Sequence, residues 1–166
     1  MQKISISKLK LTQLNEFIKL LSSVFYYEKV GKKRYYLSLF PIFIQKIIRI
    51  FFHVRYSKYW HALNSEGKII GIVGVYFREC DAKNVLWVSW FCVEKTYRRK
   101  GIGEKLLNHV ISYAKNNHKK RFKIYTSNMD EEKNAQILYE KLGFFITAKE
   151  EMASGYIKIY REKLLS

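Results

Sequence analysis

The stretch Val85–Val93, reading VLWVSWFCV, constrains this chain more than any other. It is a nearly unbroken run of β-branched and aromatic side chains, with no polar stripe for solvent, so it reads as a central strand covered on both faces. Shortly after it comes Arg98-Arg99-Lys100-Gly101-Ile102-Gly103, and then Ile102, Leu106, Leu107, Val110, Ile111 and Ala114 recur at helical spacing opposite Glu104, Lys105, Asn108 and Ser112. A buried strand, a basic glycine loop and an amphipathic helix therefore follow one another. Such a unit needs sheet neighbours and helices to cover it.

The neighbours are legible on both sides. Ile4 to Lys8 alternates like a short strand, and Leu11, Leu14, Phe17, Ile18 and Leu21 mark a helix after it, with Thr12 as its candidate cap. Tyr59 to Leu63 and Lys68 to Phe77 flank the turn-rich Asn64-Ser65-Glu66-Gly67 and read as a hairpin. Downstream, Arg121 to Thr126 is a short strand, and Ala135, Leu138, Tyr139 and Leu142 mark a second amphipathic helix that Gly143 ends. Phe144 to Ala148 and Tyr156 to Tyr160 are closing strands. Leu37 to His53 reads as a helix apolar over most of its circumference, too short and too interrupted by Gln45, Lys46 and Arg49 to span a bilayer. Its apolar surface fits core packing, a wall of an acceptor pocket, or a homodimer contact.

At 166 residues, a single domain over 1–166 with a sizeable core is expected. The formal net charge of +17 favours any polyanion: nucleic acid, anionic lipid or a phosphorylated small molecule. Lysine far outnumbers arginine, a bias that AT-rich coding produces without selection for a partner, and no nucleic-acid motif accompanies the charge, so nucleic acid is not expected. Cys80 and Cys92 form no CxxC pair and no cluster with the four histidines at ligand spacing, which predicts reduced thiols and no metal site. Met1 to Lys10 lacks the basic-then-apolar pattern of a signal peptide, and a cytoplasmic location is the expectation.

The chemistry lies in the glycine loop. Without a Cβ at Gly101 and Gly103 the backbone N–H groups approach an anion closely, and the helix start adds the positive end of its dipole. Three cations, Arg98, Arg99 and Lys100, stand directly before them. The pattern lacks the longer spacing and Lys-Ser/Thr of a P-loop, and it is not the dinucleotide fingerprint.

Strand, R-x-x-G-x-G and helix in this order resemble the phosphate-binding signature of the GNAT acyltransferase superfamily. Leu138-Tyr139-Glu140-Lys141-Leu142-Gly143-Phe144 resembles the family's L-Y-x-K-x-G-F segment at a fitting distance beyond it. The resemblance spans Gly67 to Phe144 and weakens before Tyr59. It implies an α+β (αβα-type) GNAT fold with a mixed, mostly antiparallel sheet of about six to seven strands flanked by helices. It further implies a cofactor-binding core over 59–162 and a variable acceptor-side region over 1–58.

By the same resemblance the co-substrate is acetyl-CoA. Arg98, Arg99, Lys100, Gly101, Ile102 and Gly103 would hold its diphosphate; Phe91, Cys92 and Val93 would pair with the pantetheine arm, with the Val93 N–H polarising the thioester carbonyl. Tyr139 would protonate the departing thiolate, a task suited to a phenol, which keeps its proton at neutral pH. The implied reaction is acetyl transfer to a primary amine, on a small molecule or a peptide, by direct attack. Two departures stand out. Glu132 occupies a position where an asparagine is common, leaving Asn134 as the nearby substitute, and Trp87 occupies the position where many members carry a glutamate base. Glu94 is the acid nearest the reaction centre in sequence; Ser89, Tyr76, Asp81 or a water chain are the other proton relays. A non-catalytic CoA-binding module and a membrane-surface acyltransferase, the latter from Lys32, Lys33 and Arg34 beside the apolar helix, are the alternative readings.

Overall fold

A computed structural model describes residues 4–26, 32–41, 43–45, 47, 56–78 and 80–166. One seven-stranded sheet organises them, with strands β1 (Ser5–Lys8), β2 (Ser57–Leu63), β3 (Ile69–Tyr76), β4 (Val85–Val93), β5 (Arg121–Ser127), β6 (Phe145–Glu151) and β7 (Ile157–Leu164). The spatial order is β1-β2-β3-β4-β5-β7-β6. Every pairing is antiparallel except β4 with β5. This is the mixed, mostly antiparallel sheet expected from the sequence.

Each face of the sheet carries its own helices. Leu86 and Val88 of β4 and Phe122 and Ile124 of β5 pack with Leu106, Leu107, Val110 and Ala114 of α3 (Ile102–Asn116), and α4 (Lys133–Lys141) joins that layer through Tyr139. On the opposite face, Tyr59, Ile72 and Cys92 meet Leu14, Phe17 and Leu21 of α1 (Leu14–Val24), with Tyr35 of α2 (Lys32–Ser38) beside them. The rings of Phe17, Tyr35 and Tyr59 close a triangle, with centroids 5.1–5.5 Å apart. β3 is buried along its whole length, as a strand sandwiched between two helical layers must be.

Local chemistry explains the turns. The Asn64 side-chain oxygen accepts from the N–H groups of Glu66 and Lys68 at 3.0 and 2.9 Å, and Gly67 takes the left-handed conformation that follows. Gly143 does the same after α4, with φ 81°. Between β3 and β4 the register slips by one, so Ser89 and Trp90 together oppose Gly74. A Cβ on Gly74 would lie 2.3 Å from the Tyr59 ring and 3.1 Å from the Ser89 Cβ. The bulge is thus packed shut by an aromatic ring, which only glycine tolerates.

Three expectations shift. Thr12 does not cap: it sits inside a short 3-10 turn, Leu11–Gln13, that runs into α1, and neither start has a side-chain cap. The helix expected over Leu37 to His53 is not observed as drawn, because α2 ends at Ser38, whose hydroxyl donates to the Tyr35 carbonyl at 2.7 Å. Residues 39 and 40 form a turn and bend beyond α2, residues 43–45 and 47 are helical, and 42, 46 and 48–53 lie outside the described residues. β6 and β7 run further than composition indicated, because β6 gains its length from pairing with β7, and the end of β7, Lys163 and Leu164, pairs with β5.

Gly74→Ala should cost about 1–3 kcal/mol, the usual penalty of overpacking. Urea unfolding checks this through a lowered midpoint at unchanged slope. A variant within ~0.5 kcal/mol of the parent would mean that Tyr59 yields freely.

Candidate active site

The β4–β5 pairing is brief. Val85, Leu86 and Trp87 pair with Arg121, Phe122 and Lys123, and no later pair exists, although β4 continues to Val93 and β5 to Ser127. The two strands part in the middle of the sheet. Glu94 N–H donates to the Ile70 carbonyl at 2.9 Å, so the alternation of an antiparallel ladder turns the N–H and C=O of Val93, and of Phe91 two residues earlier, away from β3 and into the gap. The main chain of Cys92 faces β3 instead, and its thiol is buried against α1. Of the three strand residues expected to meet a pantetheine arm, Phe91 and Val93 turn their backbone edges into the gap, where the Val93 carbonyl accepts from Arg98 Nε, and Cys92 does not.

At the end of β4 the loop completes the slot. Arg99 and Gly101 adopt positive φ of 62° and 75°, a paired left-handed geometry that turns successive N–H groups toward one concavity. Gly101 is the N-cap of α3, and no side chain caps that helix. Its first N–H groups are therefore available to an anion, with the dipole's positive end behind them. The cations are held in place: Arg98 Nε donates to the Val93 carbonyl at 3.1 Å, Lys100 Nζ to the Thr96 carbonyl at 3.1 Å, and Arg99 Nη1 to Asn134 Oδ1 at 3.2 Å. Asn134 thereby links the loop to the start of α4. A Cβ on Gly103 would meet Phe91 at 3.1 Å and Leu138 at 3.3 Å, so that glycine lets α3, β4 and α4 converge at the slot.

Tyr139 is buried on the α3 and α4 side, its ring 5.9 Å from those of Phe91 and Phe144. Burial pushes its phenol well above the usual range; the Glu132 carboxylate adds to this, Arg161 opposes it, and Cys92 contributes a little more. The group is a firmly protonated donor at neutral pH. Burial likewise pushes the Cys92 thiol up to about 12, and with no histidine among its partners it is a packing residue rather than a nucleophile.

The candidate bases fare unevenly. Glu94 accepts from Lys68 Nζ at 3.0 Å and from Thr96 Oγ1 at 3.4 Å, which holds its carboxylate in an ion pair at the phosphate end of β4 rather than beside Tyr139. Asp81 accepts from the Trp87 indole at the opposite end of the strand, and Tyr76 stacks on Trp87 at 6.1 Å. Ser89, at the bulge beside the parting of the strands, hydrogen-bonds Tyr59 Oη at 3.1 Å. On the face away from α3 the gap is bordered by Trp90, whose ring lies 4.7 Å from that of Phe25, and by the half-exposed Tyr125, with Lys158 Nζ 4.3 Å from its ring centroid.

Sequence reasoning missed a network that ties α4 to β5 and β7. Ser127 N–H donates to Glu132 Oε2 at 2.7 Å and Gln136 Nε2 to the Ser127 carbonyl at 2.7 Å, while Arg161 reaches Thr126, Gln136 and Glu140. Only the Arg161 position, a charge inside an otherwise strand-like segment, hinted at it. Among the described residues no group of three or more metal-capable side chains gathers, and no helix is long and apolar enough to cross a membrane.

The parting strands, the uncapped, cation-flanked helix start and the protonated phenol of Tyr139 together form the candidate active site. The family described as acetyltransferase (GNAT) matches residues 15–144, and the chain belongs to it. Among solved structures, an aminoglycoside 6'-N-acetyltransferase complexed with coenzyme A is similar at TM-score 0.77 and 14% identity, covering 98% of this chain and 97% of that one. The ribosomal-protein-S18-alanine N-acetyltransferase from Escherichia coli reaches TM-score 0.74 at 16% identity, over 99% and 95%. An acetyltransferase of the GNAT family from Staphylococcus aureus reaches 0.71 at 21%, over 99% and 100%. At these identities the likeness is one of fold. No curated protein matches the sequence.

Thiol reactivity tests the burial. An aromatic disulfide reagent should titrate one thiol, the exposed Cys80, in the native protein and a second only after denaturation; two fast-reacting thiols would contradict a packed Cys92.

Proposed function

We propose that this protein transfers the acetyl group of acetyl-CoA to a primary amine by direct attack. The observation that carries this reading is the early parting of β4 and β5, which leaves Phe91 and Val93 without strand partners on the β5 side, in line with the glycine loop. A pantetheine arm has amide groups to satisfy such edges, and a diphosphate fits the uncapped helix start. The Val93 N–H would polarise the thioester carbonyl. The amine nitrogen bonds to that carbon, the C–S bond breaks, and the thiolate takes the Tyr139 proton; the phenolate is restored by the proton shed from the acylated nitrogen.

In this reading the core over 59–162 holds the thioester, and the acceptor enters on the face bearing Phe25, Trp90 and Tyr125, largely from the 1–58 region. Glu94 is a poor base where it stands, because Lys68 holds it; Ser89 with Tyr59, or water, is the better relay. An amine of low pKa needs little help. One observation favours a second reading, a CoA-binding module without turnover: Trp87, where many relatives carry a glutamate, is buried and bonded to Asp81.

Calorimetry with acetyl-CoA is expected to give micromolar binding, weakened at least ~10-fold by Gly101→Glu, which forces a side chain and a negative charge into the left-handed loop position. Binding that is absent, or indifferent to the substitution, overturns the reading. Steady CoA release across a panel of primary amines, slowed ~100-fold or more by Tyr139→Phe, separates the enzyme from the silent module.

A further inference from the structure

Arg161 and Glu162 are the buried charged side chains of the described residues, each 2% exposed, and Arg161 is the larger. It lies on β7 in register with Ile124, on the sheet face that α3 and α4 cover. Its Nη1 donates to Thr126 Oγ1 at 3.3 Å, and its Nη2 to Gln136 Oε1 at 3.2 Å and Glu140 Oε1 at 2.9 Å. Its Nε is buried with no hydrogen-bond partner. Glu140, its counter-charge, is itself largely exposed, with 59% of its side chain open to solvent.

As a stabilising device this is a poor bargain. Removing a guanidinium from water costs several kcal/mol, and a half-solvated carboxylate recovers only part of it. An apolar residue would fill the same space between α4 and the sheet at less cost. The arrangement makes sense for what it does to α4. Gln136 and Glu140 stand one helical turn apart and flank Tyr139, so gripping both fixes the rotation of the helix about its axis. Thr126, gripped by the same fork, belongs to the half of β5 that has left β4.

We infer that Arg161 is the positioning residue for Tyr139: its two-point grip on α4 aims the phenol into the gap between β4 and β5, and its buried charge balances the phenolate formed when the thiolate is protonated. The inference rests on the general-acid role given to Tyr139 above. The ionisable groups that face the phenol are Glu132 from the start of α4, Cys92 from β4 and Arg161 from β7. Of these Arg161 is the one that favours the charged form, while Glu132 and the buried thiol disfavour it. Proton transfer from a buried phenol needs such a charge, because burial disfavours the phenolate.

A double-mutant cycle tests this. Arg161→Gln is expected to lower kcat for acetyl transfer to a primary amine ~10- to 100-fold with the KM for acetyl-CoA unchanged, and Arg161→Lys, which keeps the charge but loses the fork, to recover part of it. In the Tyr139→Phe background Arg161→Gln should cost less than ~2-fold, because the group it serves is gone. Circular dichroism and thermal melts monitor folding; if Arg161→Gln fails to fold, Arg161→Lys and Gln136→Ala carry the same cycle. An equal loss with and without Tyr139, or a change confined to KM, overturns the inference while leaving the general acid in place. A fully active Tyr139→Phe overturns the general-acid reading itself, and Arg161 with it.

Discussion

The whole architecture depends on a local failure of pairing. Within a sheet, each unpaired N–H or C=O that is kept from water costs free energy comparable to a lost hydrogen bond, yet β4 and β5 separate after three pairs and remain apart. Separation is maintained from both sides. The bulge opposite Gly74 bends β4 where Tyr59 packs into the space a Cβ would need. On the other side Ser127 is hydrogen-bonded to Glu132 and Gln136, and Thr126 is linked to α4 through Arg161, which donates to Thr126, Gln136 and Glu140. The gap is therefore built into the packing of both flanking strands.

Electrostatics complement this geometry at the end of the slot. Arg98, Arg99 and Lys100 crowd like charges onto the positive end of the α3 dipole, an arrangement unfavourable in isolation. Each is nevertheless fixed to an oxygen, on Val93, Asn134 and Thr96 respectively, so little ordering remains to be done when an anion arrives. The net charge of +17 contributes attraction for anions at long range, and the left-handed turns at Arg99 and Gly101 lead the chain into the uncapped start of α3.

Much of this was legible in the chain. The glycine loop, the buried β4 run and the L-Y-x-K-x-G-F segment each reflect a local requirement: a left-handed turn, burial on two faces, a helix ending in Gly143. Features that arise between distant segments were not. Cys92 lies in the strand segment expected to meet the cofactor but turns its main chain to β3, a matter of ladder parity set by the Glu94 N–H bonding to the Ile70 carbonyl. Glu94 looked close to the chemistry along the sequence, and Lys68 from the neighbouring hairpin claims it. Thr12 had the composition of a cap and sits inside a 3-10 turn instead. Arg161 carried no motif, and its partners lie on β5 and α4.

The sequence by itself determined which segments are strands and helices around the site, and that a basic glycine loop joins β4 to α3, because apolar periodicity and glycine conformation act over a few residues. Tertiary structure alone decided where β4 and β5 part, which carboxylates are already paired, and how α4 is rotated to present Tyr139. Those outcomes depend on contacts between residues far apart in the chain, and no local pattern encodes which partner wins.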